Sequence, residues 1–299
     1  MMIKPTQKWP RYSTQKGICI NADCEKVIEK YLVPNYSGKI QLILTSPPFP
    51  LKRAKKYGNK VGDEYLDWLC EIGNKLKPLL TDDGSIVIEI GNAWNSGEPT
   101  FSTLPLETLI EFKKRCGLYL CQEFIYYNPA RLPGPIEWVN KKRIRVKDSF
   151  TQIWWLSKTP EPYADNNNVK ETYSKQMKKL LASGKYNAGV RPSEHTISES
   201  AFSVDNGGAI PSNVIIAANT TSKDVYLTKC KEHGLEIHPA RMAPAIPEFF
   251  IKFLTKEDDI VLDCFGGSNT TGAMAEKLGR QWITIELNPD YYKGSKFRF

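Results

Sequence analysis

The sequence has little of what metal centres and disulfide frameworks require. Its three histidines (His195, His233, His238) stand apart, and its seven cysteines include no C-x-x-C pair. That leaves no metal-ligand spacing; free thiols in a reducing cytoplasm, and no zinc, are expected. No stretch approaches the roughly 18 apolar residues of a membrane span. The amino terminus, M-M-I-K-P-T-Q-K-W-P-R, has no apolar core, so a secretory signal is not expected. Internal repeats and long low-complexity tracts are also missing. What is there is an ordinary globular balance over 299 residues, 41% hydrophobic and 25% charged, enough to bury a large core. The formal net charge of +8 suits a polyanionic partner, weighed evenly against a basic surface that meets no nucleic acid.

The chain is organised around K-I-Q-L-I-L-T-S-P-P-F-P-L, residues 39–51. Ile40 to Leu44 reads as a buried strand. Thr45-Ser46-Pro47-Pro48-Phe49-Pro50 ends it, because adjacent prolines cannot donate to a ladder and bias the residues before them away from helix. The chain therefore leaves the carboxyl end of a strand, where open α/β sheets bind ligands. This loop presents the Ser46 hydroxyl, the Ser46 and Pro47 carbonyls and the Phe49 ring. Together they suit a pocket for a flipped-out nucleobase; a plain proline-rich turn is the even alternative for this motif alone. The basic stretch 52–57, with Lys52 and Arg53, reads equally as phosphate contact or as a solvated loop.

Residues 1–16 read as a poorly ordered arm. Gly17 to Asn21 is a short strand, ending at Ala22-Asp23, and Cys24 to Tyr31 is helix-like. Tyr65, Leu66, Leu69, Ile72 and Leu76 give helical spacing over 63–80. Asp82-Asp83-Gly84 is a turn signal before a strand over 85–90. A helix over 104–116 and strands over 119–127 and 150–156 follow, separated by an irregular, proline-containing stretch, 128–147. From 159 to 235 the pattern degrades into Asn, Ser, Gly and Pro clusters with lysine-rich turns. Regular structure resumes with a helix over 244–254, a strand over 260–263, a helix over 272–278 and a strand over 282–286. This alternation predicts a mainly parallel, doubly wound α/β sheet with an inserted region. The expected organisation is a catalytic half (1–158), a target-recognition region (159–235) and a cofactor-binding half (236–299).

The second informative stretch is D-I-V-L-D-C-F-G-G-S-N-T-T-G, residues 259–272. A strand runs into a glycine-rich turn and then a helix, whose amino terminus offers donors to a ligand. Glu286 closes the next strand, where an acid can take both hydroxyls of a ribose. The dinucleotide spacing G-x-G-x-x-G is absent, and Asp263 would repel a pyrophosphate while suiting a cationic amino-acid tail. S-adenosylmethionine rather than NAD is therefore the expected cofactor. A tight turn beside a surface glutamate is the bland alternative.

Thr45-Ser46-Pro47-Pro48-Phe49 and Asp263-Cys264-Phe265-Gly266-Gly267-Ser268-Asn269-Thr270-Thr271-Gly272, in that order, resemble the catalytic and cofactor motifs of cytosine-N4 DNA methyltransferases, especially PvuII-type modification enzymes. The resemblance extends to Pro135-Ile136-Glu137-Trp138-Val139-Asn140, Asp205-Asn206-Gly207-Gly208 and His238-Pro239-Ala240-Arg241, and so covers nearly the whole chain. It implies a circularly permuted class I S-adenosylmethionine-dependent methyltransferase fold. It also implies that Asp263 and the loop Phe265, Gly266, Gly267, Ser268, Asn269, Thr270, Thr271, Gly272 hold the methionine portion. Glu286 would bind the ribose, Asp23 would sit by the adenine, and His238, Pro239 and Ala240 would line the methionine end. Met242-Ala243 stand where this family commonly carries an aromatic and a proline. Relatives with a longer tail beyond Glu286 would make this a compact version.

The chemistry follows from a base whose amine is hidden inside the duplex and must be rotated out. Phe49 can stack on the extruded ring, while Ser46 Oγ and the Pro47 carbonyl can accept the amine's two N–H bonds; Pro47 and Pro48 together stiffen the loop. Attack on the methyl group is then direct. Cytosine-C5 methylation needs a cysteine nucleophile, typically after proline, and no Pro-Cys occurs. Adenine-N6 enzymes usually carry Asp or Asn at the Ser46 position, so Ser46 favours cytosine. An adenine-N6 enzyme and an inactive DNA-binding relative are the alternatives. Lys141, Lys142, Arg143, Arg145 and Lys147 form the densest positive run and are expected at DNA phosphates. Arg191, Asn206 and Asn213 are candidates for base readout. The partners implied are double-stranded DNA and, functionally, a cognate restriction endonuclease.

Overall fold

The computed structural model describes residues 7–49, 60–184, 188–198, 204–219 and 224–299. In chain order the strands are β1 (Arg11–Ser13), β2 (Gly17–Asn21), β3 (Ile40–Thr45), β4 (Leu80–Gly91), β5 (Tyr119–Tyr127), β6 (Phe150–Ser157), β7 (Gly189–Val190), β8 (Thr196–Ile197), β9 (Val214–Ile216), β10 (Ile260–Asp263) and β11 (Gln281–Glu286). The helices are α1 (Cys24–Val27), joined through a π-helical turn to α2 (Val33–Tyr36), then α3 (Gly62–Leu76), α4 (Leu104–Arg115), α5 (Lys175–Ser183), α6 (Val225–Glu232), α7 (Ala245–Leu254), α8 (Thr270–Lys277) and α9 (Pro289–Ser295). The chain forms two compact units, one of 1–164 with 213–299 and one of 165–212.

The larger unit is built on a sheet ordered β1-β2-β11-β10-β3-β4-β6-β5-β9. Pairing is parallel from β2 to β4 and between β5 and β9; β1, and β6 against both its neighbours, run antiparallel. Buried parallel strands need apolar side chains on both faces, and the alternation supplies them. Ile43, Ile86, Trp154 and Ile283 point into one apolar cluster, with Leu69 and Phe112 of α3 and α4. Leu44, Val87, Trp155 and Trp282 point into the other, with Ile246, Phe250 and Leu254 of α7. With both faces covered, the open functional ground is at the strand ends.

Three expectations change. The amino-terminal arm is not all irregular: Arg11–Ser13 pairs with Ile18–Ile20 as an edge strand, because β2 would otherwise end the sheet with an unpaired ladder. Asp82-Asp83-Gly84 is no turn between elements but a bulge inside β4. Pairing jumps from Ile40–Leu80 to Leu42–Ser85, which leaves the surplus residues of β4 exposed at Asp82 and Asp83. The helix expected to reach residue 80 ends at Leu76, and a 3₁₀ turn through Pro78 follows. Within the irregular region 159–235, the smaller unit takes only 165–212; β9 and α6 belong to the larger one.

Candidate active site

β2, β11, β10 and β3 are parallel neighbours, so their carboxyl ends emerge side by side. They open onto a cavity of about 560 Å³. Ala22 and Asp23 follow β2, Glu286 closes β11, Asp263 closes β10, and Ser46 to Phe49 follow β3; all line it. Two stretches more than 200 residues apart in sequence thus share one chamber because β10 and β3 are adjacent.

Asp263 ties them together. Its Oδ1 accepts from Thr45 Oγ1 (2.7 Å) and from the Phe265 amide (3.0 Å), and its Oδ2 accepts from Thr271 Oγ1 (2.8 Å). Burial pushes its carboxyl above the usual range, against the opposing pull of these three donors. A carboxylate offers about four lone-pair sites; three are taken here, and through them Asp263 fixes the Ser-Pro-Pro-Phe loop to the glycine-rich one.

On the neighbouring strand, Glu286 Oε2 accepts from the Gly267 amide and Oε1 from the Asn288 amide, both at 2.7 Å. Burial raises its pKa to about 7. Gly267 adopts φ +53°, and a Cβ there would lie 3.2 Å from His238 Nε2, so the tight turn and the close approach both need glycine. Burial lowers the His238 imidazole to about 4, leaving it neutral at neutral pH. Its ring stands edge-on to Tyr291 at 4.6 Å, and its amide donates to Tyr226 Oη (3.1 Å).

At the other end, Phe49 lies across Gly91, whose missing side chain leaves the space: a Cβ would come within 2.4 Å of the ring. Glu89, on β4, is buried beside Ser46. It accepts from Thr151 Oγ1 (3.0 Å) and hydrogen-bonds to the Ser46 side chain, and burial lifts its pKa to about 7. Sequence reasoning missed Glu89. The available signal was a single acid inside the apolar run I-V-I-E-I-G, where an unpaired charge would be too costly to bury without a role.

The expected site residues divide accordingly. Asp23, Ser46, Pro47, Pro48, Phe49, His238, Ala240, Asp263, Phe265, Gly266, Gly267, Ser268, Thr270, Thr271 and Glu286 line the cavity. Pro239, Asn269 and Gly272 do not. Asn269, in the left-handed region at φ +56°, turns away: its Oδ1 caps the Gly272 amide (3.1 Å) and its Nδ2 donates to Tyr12 Oη (2.9 Å). Asn269 and Gly272 shape the loop. Two residues outside the expectations also hold it or the chamber. Trp68 lines the cavity, 5.6 Å from the Phe265 ring. Arg298 donates from Nε to the Ser268 carbonyl (2.7 Å) and from Nη2 to Ser268 Oγ (3.1 Å), and it lies over Tyr226 at 4.6 Å.

Lys52 and Arg53 lie outside the described residues. The positive run 141–147 is exposed, yet most of its cations are already engaged. Lys141 pairs with Glu137 (3.1 Å), Lys142 stands over Trp138, Arg145 Nε donates to the Pro99 carbonyl (3.0 Å), and Lys147 Nζ donates to the Pro129 carbonyl (3.1 Å). Among the described residues, Arg143 alone of this run has no side-chain partner. Arg191 sits in the hairpin of β7 and β8 in the smaller unit. Asn213 uses its amide to hold the Glu123 carbonyl (2.9 Å), which argues against base readout. Among the described residues there is no cluster of potential metal ligands and no helix long and apolar enough to cross a membrane.

A permuted parallel sheet whose cofactor loop and Ser-Pro-Pro-Phe loop meet in one chamber defines a methyltransferase that uses S-adenosylmethionine. Residues 40–297 match the DNA methylase family, and the chain belongs to it. It is 44% identical over 294 residues to the type II methyltransferase M.PvuII of Proteus hauseri, covering 98% of this chain and 86% of that protein. The solved structure of the PvuII DNA methyltransferase (cytosine-N4-specific) superposes with a TM-score of 0.78 at 38% identity, covering 98% of this chain and 89% of that one. The complex of M1.HpyAVI with SAM shares the fold, at 18% identity and a TM-score of 0.55, over 94% of this chain and 97% of that one.

Proposed function

We propose that the protein transfers a methyl group to the exocyclic N4 amine of a flipped-out cytosine in duplex DNA, as the modification enzyme of a restriction–modification pair. The observation that carries this reading is the meeting of the Ser46-Pro47-Pro48-Phe49 loop and the glycine-rich loop in one chamber, with the buried Glu89 beside Ser46. A hydroxyl that gives its proton to a buried carboxylate keeps its oxygen as an acceptor. Ser46 Oγ and the Pro47 carbonyl then accept the two N–H bonds of the amine. That arrangement favours a pyramidal nitrogen with its lone pair free. Glu89, poised near neutrality, receives the proton released through Ser46. Phe49 stacks on the extruded ring, a contact worth roughly 1–3 kcal/mol.

The chamber suits S-adenosylmethionine. Two backbone amides fix the Glu286 carboxylate and leave lone pairs for ribose hydroxyls. Asp23 uses one oxygen to cap α1, accepting from the Glu25 and Lys26 amides (2.9 and 3.2 Å), which leaves the other for the adenine amine. When bound, S-adenosylmethionine supplies the electrophilic methyl group. Base readout is assigned to the smaller unit, 165–212, and phosphate contact to the 141–147 run, chiefly Arg143.

The test incubates the protein with methyl-labelled S-adenosylmethionine and mixed-sequence duplex DNA, then digests the DNA to nucleosides. Label on N4-methylcytosine is the expected result. Label on N6-methyladenine would keep the class and overturn the reading of Ser46. DNA without label, together with no cofactor binding, would support an inactive relative.

A further inference from the structure

Residues 128–148 connect β5 to β6 and fold back on themselves. Arg131 Nη1 donates to the Phe150 carbonyl (3.0 Å), Lys147 Nζ to the Arg131 carbonyl (3.4 Å), and the Asp148 amide to the Gly134 carbonyl (3.0 Å). The Asp148 carboxylate accepts from Asn92 Nδ2 (2.9 Å), just beyond the end of β4. The loop is therefore braced before any partner arrives. Yet it holds Leu132 and Val146 outward at 84% and 86% exposure, higher than any other large apolar side chain among the described residues. Ile136 and Ile144 are also exposed. A braced loop that keeps apolar side chains in water has a surface awaiting a partner.

Charge and position say which partner. Leu132 follows Arg131, and Val146 lies between Arg145 and Lys147. The loop is rooted at the reactive end of the sheet. The Arg131 guanidinium acts electrostatically on Glu89, and Phe150, whose carbonyl Arg131 holds, precedes the Thr151 that hydrogen-bonds to Glu89. An apolar tip set among cations, next to a pocket for an extruded base, matches a duplex with a gap in its stack. Apolar side chains inserted between base steps are an established way to hold unstacked DNA.

We infer that Leu132 and Val146 form a wedge that enters the duplex where the target base leaves it, and so keeps that base in the chamber. This rests on the proposed methylation of duplex DNA. The recognition site is first mapped by sequencing genomic DNA methylated by the wild-type protein. Single-turnover transfer is then measured on two duplexes carrying that site, one normally paired and one with the target base opposite an abasic position. The double variant Leu132→Ala/Val146→Ala, altered only at exposed side chains, is expected to fold normally. On the paired duplex it should be slower by about tenfold, because base opening must now proceed without the wedge. With the abasic partner, where little pairing remains to be broken, it should match wild type. Arg143→Ala, by contrast, should weaken binding to both duplexes alike. A double variant as fast as wild type on the paired duplex, or slowed equally on both, would overturn the wedge. Wild-type protein that labels neither duplex would overturn the methylation reading itself.

Discussion

Glu89 and Glu286 make an instructive pair. Both are acids near the carboxyl ends of sheet strands, Glu89 buried and Glu286 partly so, and burial lifts both to about 7. Their supports differ in kind. Glu286 is held by the backbone amides of Gly267 and Asn288, so its position follows from the path of the loop. Glu89 is held by side-chain hydroxyls, Thr151 and Ser46. A carboxylate fixed by amides is a binding surface. A carboxylate fixed by a hydroxyl acts on that hydroxyl, turning Ser46 into an acceptor aimed at the target. In the proposed mechanism the same functional group is thus put to different work: Glu286 to hold the cofactor, and Glu89 to condition the group that meets the substrate.

The comparison breaks most sharply if the two acids respond alike to substitution. Glu89→Gln and Ser46→Ala should each lower turnover by about 10²-fold or more, with the cofactor dissociation constant within about twofold of wild type. Calorimetric titration beside single-turnover kinetics separates the two quantities. An unchanged rate in either variant would remove that residue from the chemistry. Glu286→Gln should do the reverse, weakening cofactor binding by about tenfold while turnover at saturating cofactor stays near wild type.

pH sharpens the contrast. Turnover needs Glu89 ionised, so kcat should fall as pH drops through about 7, and Glu89→Gln should lose that limb. Cofactor affinity needs Glu286 ionised and should weaken over the same range, in Glu89→Gln as in wild type. Stability runs the other way. Both acids have raised folded-state pKa values, so their contribution is present below the unfolded value and is lost as pH rises through about 7. The melting temperature of the cofactor-free protein should therefore fall between pH 5 and 8, and by less in Glu89→Gln. A flat profile would show that the carboxyls are not buried as described. The smallest effect expected is that of Arg298→Ala. It removes both guanidinium hydrogen bonds to Ser268 and should weaken cofactor binding by about threefold, since they act on the cofactor only through the loop, with turnover unchanged.

The fold was legible where periodicity is strong. Ile40 to Leu44, Ile260 to Asp263 and the helix from Tyr65 to Leu76 read directly from apolar spacing. The β1 edge strand and the bulge at Asp82 to Gly84 did not, since a three-residue strand has no period to detect and a bulge has the composition of a turn. The site was legible in its two motifs, because Pro-Pro and Gly-Gly impose local backbone that no neighbour needs to confirm. Asn269 shows the limit of that reading. It belongs to the motif, but its left-handed backbone and its bond to Tyr12 turn it out of the chamber.

What the sequence determined by itself was therefore local: which strands end in which loops, and the residue types those loops carry. Tertiary structure alone decided what those loops meet. Asp263 read as a ligand for a cationic tail, and folding made it also the clasp between Thr45 and Thr271. Glu89 went unread inside an apolar strand, and pairing of β4 with β6 brought it to Thr151, beside Ser46. Most of the lysines and arginines of 141–147 looked interchangeable, until the loop engaged all but Arg143 in contacts of its own. The reason is common to the three cases. A side chain's chemistry is written in its identity, but its protonation and its partners depend on the dielectric and the neighbours that only long-range pairing supplies.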